Sequence, residues 1–283
     1  MTLRRHIATC NSWERARFLP FWHEAARLGL VRRDHAEMLR RFPRVFLVTS
    51  DSVRLVAKGD PAALTAAIDE AVVKLVASGA IAKWRKEFLA VAERWGGAVR
   101  FNLDRGAAPF FGIRAYGVHL NGYRMVGDAM KLWIGRRAKD KLVAPDKLDN
   151  LVAGGIGDGH GVIETLHKEA EEEAGIPAPL IAQARPAGAI SYRMETKWGL
   201  RCDALFVYDL DMPADFEPKN QDGELASFEL MDAEAALDRV RQTDDFKFNV
   251  NLVVIDFAIR HGLIGPDDPE YLTLATGLRR PVD

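Results

Sequence analysis

The sequence predicts an α+β fold. Two observations agree with that class: strand-like runs alternate with helix-like runs along the chain, and a glycine-rich stretch at 154–161 opens directly into an amphipathic run at 162–174. With 283 residues the chain has length for one large domain or two of ordinary size, and for a substantial core.

Composition narrows the class of partner before any motif is read. The chain is 48% hydrophobic and 28% charged, without low-complexity tracts or an internal repeat, which is the balance of a globular protein. A net charge of −1 gives no reason to expect broad binding to nucleic acid or an anionic membrane; the expectations held beside it, not drawn from the charge, are a small-molecule partner and a monomer or homodimer. The basic pairs Arg4–Arg5, Arg32–Arg33 and Arg40–Arg41 are interrupted by acidic and apolar residues and read as solvated surface. Cys10 and Cys202 match no metal spacing, and a lone disulfide is uncommon in a chain of this size. No apolar run is long enough to span a bilayer and the first residues lack a signal core, so the expected location is the cytoplasm.

The first hundred residues read as mixed α and β. Ser12 is placed to cap a helix through 13–30, with Pro20 as its kink or break. Runs 44–48 and 53–58, separated by Thr49-Ser50-Asp51-Ser52, form a hairpin signal. Asp60-Pro61 supplies a cap and first turn for a helix with Leu64, Ile68, Val72 and Leu75 on one stripe, stopping at Gly79. Residues 81–91 fit helix or strand equally. The tryptophans Trp13, Trp22, Trp84 and Trp95 read as core or substrate-side packing. The stretch 105–109, with Gly, Ala and Pro, marks a boundary, giving domains 1–108 and 109–283.

Beyond it, 116–120 and 123–126 flank Asn121-Gly122, the preferred dipeptide of a two-residue hairpin. Strands follow at 131–136, 187–194, 202–210 and 225–231, with turns at Lys197-Trp198-Gly199 and at 220–224. Helices are expected at 233–240 and 249–261, the second stopped by Gly262.

The chemistry concentrates at 154–176. Gly154, Gly155, Gly157, Gly159 and Gly161 suit a tight loop that lets backbone approach a ligand. On the helix that follows, Glu169, Glu172 and Glu173 stand at i, i+3 and i+4, so three carboxylates share a face. A solvated acidic face is the plain reading. Carboxylates bunched beside a phosphate-compatible loop point instead to a divalent ion held against a diphosphate, because Mg²⁺ takes one or two carboxylates plus substrate phosphates.

The order Gly154, Lys168, Glu169, Ala170, Glu172, Glu173, Gly175, Ile176 resembles the Nudix box. His160 stands where that box has its first Glu, with Glu164 one turn along as a substitute, and Lys168 stands where it has Arg. The flanking segments at 110–123, 132–137, 146–155, 220–231 and 246–264 are similar to the thiamine-pyrophosphokinase-related Nudix branch, in which Lys at that position is normal and an N-terminal accessory region precedes the box. The resemblance implies an α/β/α sandwich with a mixed sheet, the acidic helix on one side and the C-terminal helix on the other, preceded by a smaller mixed α/β accessory domain. It implies Mg²⁺ or Mn²⁺ on Glu169, Glu172 and Glu173, with Lys168 orienting them, and hydrolysis of thiamine diphosphate, or a damaged, oxidised form of it, to monophosphate and phosphate. Gly154 and Gly155 would offer backbone N–H groups to the substrate.

Around this centre several readings stay open. Glu224 is a metal ligand, the base that deprotonates water, or a charged turn residue. Arg136 and Arg137 meet diphosphate oxygens or serve solubility. Lys247 reaches a phosphate or lies on the surface. His160 is a loop residue or phosphate contact rather than a metal ligand, since a neutral imidazole cannot replace a carboxylate's charge. Tyr192, Tyr123, Phe248 and Trp198 are aromatic candidates for stacking on a heterocycle or for the core. The alternatives in function are a nucleoside diphosphate derivative as substrate, a non-catalytic diphosphate-binding module, and, remotely, a dinucleotide-binding oxidoreductase, whose G-x-G-x-x-G spacing the glycines do not fit.

Overall fold

A computed structural model describes residues 2–281; Met1, Val282 and Asp283, at the extreme ends of the two expected domains, lie outside the described residues. The chain opens with α1 (Arg4–Cys10). The helix expected over 13–30 is instead a hairpin of β1 (Phe18–His23) and β2 (Ala26–Arg32), turned at Glu24, whose φ is 53°. On β2, buried Ala26, Leu28 and Leu30 alternate with half-buried Arg27 and Gly29, and β1 buries Phe18, Leu19 and Phe21 beside them. That strand-period pattern outweighs the Ser12 signal, and Ser12 Oγ donates back to Thr9 O at the end of α1.

After α2 (Arg33–Leu39), β3 (Phe46–Val48) and β4 (Val53–Leu55) pair antiparallel across the expected turn, closed by Thr49 N donating to Ser52 O at 2.9 Å. Next comes α3 (Pro61–Ala77), capped by Asp60 Oδ1 on the Ala63 amide at 2.8 Å; its stripe Leu64, Ile68, Val72 and Leu75 is buried. The ambiguous stretch resolves as β5 (Phe88–Val91), paired with β6 (Phe101–Asp104), and a short α4 (Ala108–Phe111) follows. Strands β2-β1-β4-β3 form one sheet, and α3 and the β5–β6 ribbon close its core.

The second sheet begins with β7 (Arg114–Val126), which runs straight through Asn121-Gly122; the turn falls later, before β8 (Ala129–Arg137). Asn121 is no turn residue because it is buried, donating to Asp209 Oδ1 and accepting from Asn150 Nδ2, both at 2.9 Å. Gly122 is there for room: a methyl group on it would stand 2.2 Å from Leu151 Cδ2. Then come β9 (Leu148–Asp149), β10 (Val152–Gly155), α5 (Val162–Ala174) and α6 (Ala178–Ile181). The long hairpin β11 (Arg185–Thr196) and β12 (Gly199–Asp211) precedes β13 (Leu225–Asp232), α7 (Ala233–Gln242), α8 (Val250–Arg260) and α9 (Tyr271–Gly277).

Seven strands make this sheet, β11-β12-β7-β8-β13 with β10 on β7 and β9 on β8; β12 and β7 are parallel and the other pairs antiparallel, so it is mixed. One face packs on α5 and α6 through Val118, Leu120, Leu166 and Ala170. The other packs on α7, α8 and α9, and on α1 as well, through Leu3, Ile7, Tyr192, Val207, Leu252 and Val253. The result is the α/β/α sandwich with a smaller α/β region ahead of it. Helix α1 departs from that order, since its apolar face lies in the core of the second sheet. Cys10 and Cys202 are both buried free thiols.

Candidate active site

Helix α5 ends as its sequence requires. Gly175 adopts φ 64°, and Ile176 N donates to Ala170 O at 3.0 Å while its side chain is buried. At the other end Glu164 accepts from the Gly161 amide at 3.3 Å and from His160 Nδ1 at 2.9 Å, so its carboxyl is held below the ordinary range, first by the imidazole bond and then by the amide. His160 and Glu164 are thus turned to each other on the exposed rim.

The three glutamates of the shared face differ sharply in depth. Glu173 is buried and accepts from the Ala153 amide of β10 at 2.8 Å. Burial pushes its pKa well up against that hydrogen bond, and the charges of Asp149, Glu169 and Glu224 add to the rise. Glu169 is partly covered; burial raises its pKa too, with Lys168 and Arg105 opposing and Glu172 reinforcing. Glu172 is half-exposed and takes the Lys168 ammonium at 2.7 Å, while the same ammonium stands 3.6 Å from Glu169. That contact with Glu172 is the chief reason the Lys168 pKa is raised.

Gly154 and Gly155 lie in strand β10, paired with Val118 and Gly117, rather than in a loop; only 156–161 is loop. What approaches them closely is side chains. A methyl group on Gly154 would stand 2.2 Å from Glu169 Cγ and 2.8 Å from its Oε1. One on Gly155 would stand 1.5 Å from Arg105 Nη2. Each glycine therefore gives up its side chain so that a charged group can lie flat on β10. Arg105, from the segment after β6, is also paired with Glu87 at 3.0 Å. It appears in the sequence only as part of a boundary stretch, and no local pattern announces its reach across to β10.

Glu224 belongs to this neighbourhood through its effect on Glu173, and its own carboxylate is paired with Lys141 at 3.2 Å. Other expected residues do not join it. Arg137 is buried, with Nη1 donating to Asp149 Oδ2 at 2.8 Å, and Lys247 donates to the same oxygen at 3.0 Å. Both cations are engaged in neutralising a buried carboxylate, whose pKa stays below the ordinary range although burial opposes it. Arg136 donates to Asp146 O at 2.9 Å. Tyr192 is wholly buried on the α8 face, its hydroxyl donating to Asp203 Oδ2 at 2.5 Å, so it cannot stack on a ligand. Tyr123 and Phe248 pack on that same face, opposite α5; Trp198 sits in the β11–β12 turn under Lys197.

Aromatic side chains do occur on the α5 face. Trp95, exposed by 47%, lies with its ring centroid 4.5 Å from Tyr116 and 5.0 Å from Phe206. Trp95 is readable from sequence as substrate-side packing; its partners are not, because they lie far from it and from each other along the chain. Among the described residues, no three carboxylate, imidazole or thiol groups converge closely enough to hold a metal ion, and no helix is long and apolar enough to cross a membrane.

Similarity to known proteins covers both halves. A model described as the NUDIX domain matches residues 121–250, and one described as a domain of unknown function, DUF4743, matches residues 2–115. Nudix hydrolase 20, chloroplastic, of Arabidopsis thaliana is 38% identical over 96% of this chain and 76% of its own length. Nudix hydrolase 24, chloroplastic, of the same plant is also 38% identical, over 93% of this chain and 73% of that protein. The crystal structure of DR0079 from Deinococcus radiodurans is 23% identical with a TM-score of 0.47, covering 59% of this chain and 97% of that one.

Proposed function

The chain belongs to the Nudix hydrolase family, whose members act on diphosphates, and on that premise we propose that it hydrolyses thiamine diphosphate, or an oxidised form of it, to the monophosphate and phosphate. The observation that carries the choice of site is the Glu169 carboxylate laid over side-chain-free Gly154, with the Arg105 guanidinium beside it over Gly155.

Nudix hydrolases generally use a divalent cation such as Mg²⁺, and the donor chemistry here fits one. Glu169 and Glu173 have raised pKa values, with neighbouring carboxylates contributing, and a hard cation reverses that penalty. Glu169, Glu172 and Glu173, on one face of α5, would hold the ion. When bound, the ion supplies charge neutralisation on the phosphoryl oxygens and makes a water more acidic.

The chain's own residues do the rest. Lys168 spans Glu169 and Glu172 and sets their orientation. Arg105 presents a planar guanidinium to the phosphate oxygens, a role that Arg suits geometrically. A water attacks phosphorus, the bond to the bridging oxygen breaks, and the water's proton passes to Glu169 or Glu224. Glu169, partly covered where it lies over Gly154, is the better-placed acceptor, while Glu224 is held by Lys141.

The thiamine assignment is supported by the flanking segments that resemble the thiamine-pyrophosphokinase-related branch. The half-exposed Trp95–Tyr116–Phe206 group is the stacking surface for its heterocycle, in place of the buried Tyr192. The test is Mg²⁺-dependent phosphate release measured side by side on thiamine, oxothiamine and nucleoside diphosphates. The highest kcat/KM should fall on a thiamine-type compound. A nucleoside diphosphate derivative in first place would refute the substrate assignment and leave the hydrolase reading intact.

A further inference from the structure

The loop at 156–161, which joins β10 to α5, is held at its two ends by those elements' neighbours. Ile156 N donates to Tyr116 O of β7 at 2.9 Å, and Gly161 N donates to Glu164 of α5 at 3.3 Å. The middle of the loop is a turn: His160 N donates to Gly157 O at 3.3 Å, and Gly159 takes φ 77°, a left-handed value that glycine adopts without strain. Between the two glycines, Asp158 is exposed, yet it is tied twice to the N-terminal region. Its amide donates to Phe88 O of β5 at 2.8 Å, and its Oδ2 accepts from Asn102 Nδ2 of β6 at 2.6 Å.

The ribbon that receives Asp158 is stiff. Strand alternation sends Leu89, Val91, Phe101 and Leu103 into the first core, where each is buried, and leaves Asn102 on the opposite face, towards the loop. The Asn102 amide donates to Thr65 Oγ1 of α3 at 2.8 Å, so its side chain starts from backbone pinned to a helix. Phe88 pairs with Asp104, whose buried carboxylate accepts from the amides of Arg85 at 3.0 Å, Lys86 at 2.7 Å and Gly106 at 2.8 Å. The same end of the ribbon carries Arg105, whose amide donates to Glu87 O at 2.8 Å and whose guanidinium lies over Gly155. One ribbon therefore sets both the guanidinium and the loop.

Held in this way, Asp158 leaves its two neighbours open. Among the described residues, the amides of Gly157 and Gly159 have no acceptor, whereas those of Ile156, Asp158, His160 and Gly161 are all engaged. A methyl group on Gly159 would meet nothing within 4 Å, so a ligand has room to approach that amide. Two free N–H groups on one turn suit an anion, and the carboxylate that would repel it is turned onto Asn102. We propose that Asn102 and Asp158 are positioning residues for hydrolysis of the substrate diphosphate: their hydrogen bond presents the Gly157 and Gly159 amides to phosphate oxygens and keeps the Asp158 carboxylate clear of them. This role rests on the hydrolase reading of the α5 site and not on the thiamine assignment. It makes the N-terminal region part of the reaction centre.

The experiment pairs steady-state kinetics with hydrogen exchange on the full chain. Asn102→Ala and Asp158→Ala should each raise KM for the best diphosphate substrate roughly tenfold, with kcat changed by less than about threefold, as expected for loss of one charge-assisted hydrogen bond. The double variant should be within about twofold of either single one, because the same bond is lost in all three. Asp158→Asn keeps an oxygen that accepts from Asn102 and should stay within about threefold of wild type. In Asn102→Ala the 156–161 amides should exchange roughly tenfold faster, while β10 and α5 keep their protection. If Asn102→Ala melts below wild type, Asp158→Ala, on an exposed turn, decides in its place. An active wild type with KM unchanged in the variants, losses that multiply in the double variant, or unchanged exchange overturns the proposal. Wild type without turnover on any diphosphate overturns the hydrolytic reading and this role with it, while the exchange result still reports whether Asn102 anchors the loop.

Discussion

Replacing Gly154 by alanine separates the geometry of the acidic site from the stability of the fold. The new methyl carbon would stand 2.2 Å from Glu169 Cγ and 2.4 Å from Cδ, and ordinary contact begins at 3.4 Å, so the Glu169 side chain must move by about 1.2 Å. What gives way is a flexible side chain rather than backbone, and an off-rotamer shift of that kind costs about 1 kcal/mol. The melting temperature should therefore fall by only a few degrees. Catalysis is less forgiving: misplacing a reacting or ligating group by about 1 Å costs roughly a hundredfold. Gly154→Ala should thus lose about two decades in kcat while remaining folded, approaching the loss seen in Glu169→Gln. Phosphate release at saturating substrate, read beside a thermal melt, decides the matter. A folded Gly154→Ala protein with kcat within twofold of wild type would refute the claim that Glu169 works from its position on β10.

Further variants probe the neighbours. Arg105→Ala should raise KM roughly tenfold, the value of one charge-assisted contact, with little change in melting temperature because its ion pair to Glu87 is partly exposed; Arg105→Lys should recover part of the loss. Glu173 has a folded pKa above its ordinary 4.5, so its protonation favours the fold below 4.5 and that contribution is lost as pH rises through the folded value. Metal-free wild type should therefore lose stability with rising pH above 4.5 relative to Glu173→Gln, in urea midpoints, and parallel curves would show that the buried carboxyl is not perturbed. Arg137→Met should destabilise by about 3 kcal/mol through the buried Asp149 and leave KM unchanged. A raised KM at unchanged stability would return Arg137 to the substrate.

Local signals were the legible ones. The cap at Asp60, the stripe on α3, the stop at Gly175 and the turn at Lys197-Trp198 each depend on residues within a few positions, and each element stands where those residues put it. The errors came from tertiary demands. Ser12 and Pro20 suggest a kinked helix, but 18–32 pairs as the hairpin β1–β2, whose apolar residues enter a core shared with α3 and the β5–β6 ribbon. Asn121-Gly122 has the composition of a turn and sits mid-strand, because a buried amide network holds Asn121 and Leu151 fills the space over Gly122. In the site, helical spacing put Glu169, Glu172 and Glu173 on one face. It carried no information on depth, which β10 decides by covering Glu173 and leaving Glu172 at the rim. Arg105 and Trp95 come from the N-terminal region and meet the second sheet only through folding, so no spacing within either segment could place them.

The central claim is tested most directly by titrating Mn²⁺ into the full chain with isothermal calorimetry, beside Glu169→Gln/Glu172→Gln/Glu173→Gln. Saturable uptake by wild type that vanishes in the triple variant, with the melt of the variant still cooperative, is the predicted result. Equal uptake by the two proteins, or none by wild type, would contradict a divalent site on α5.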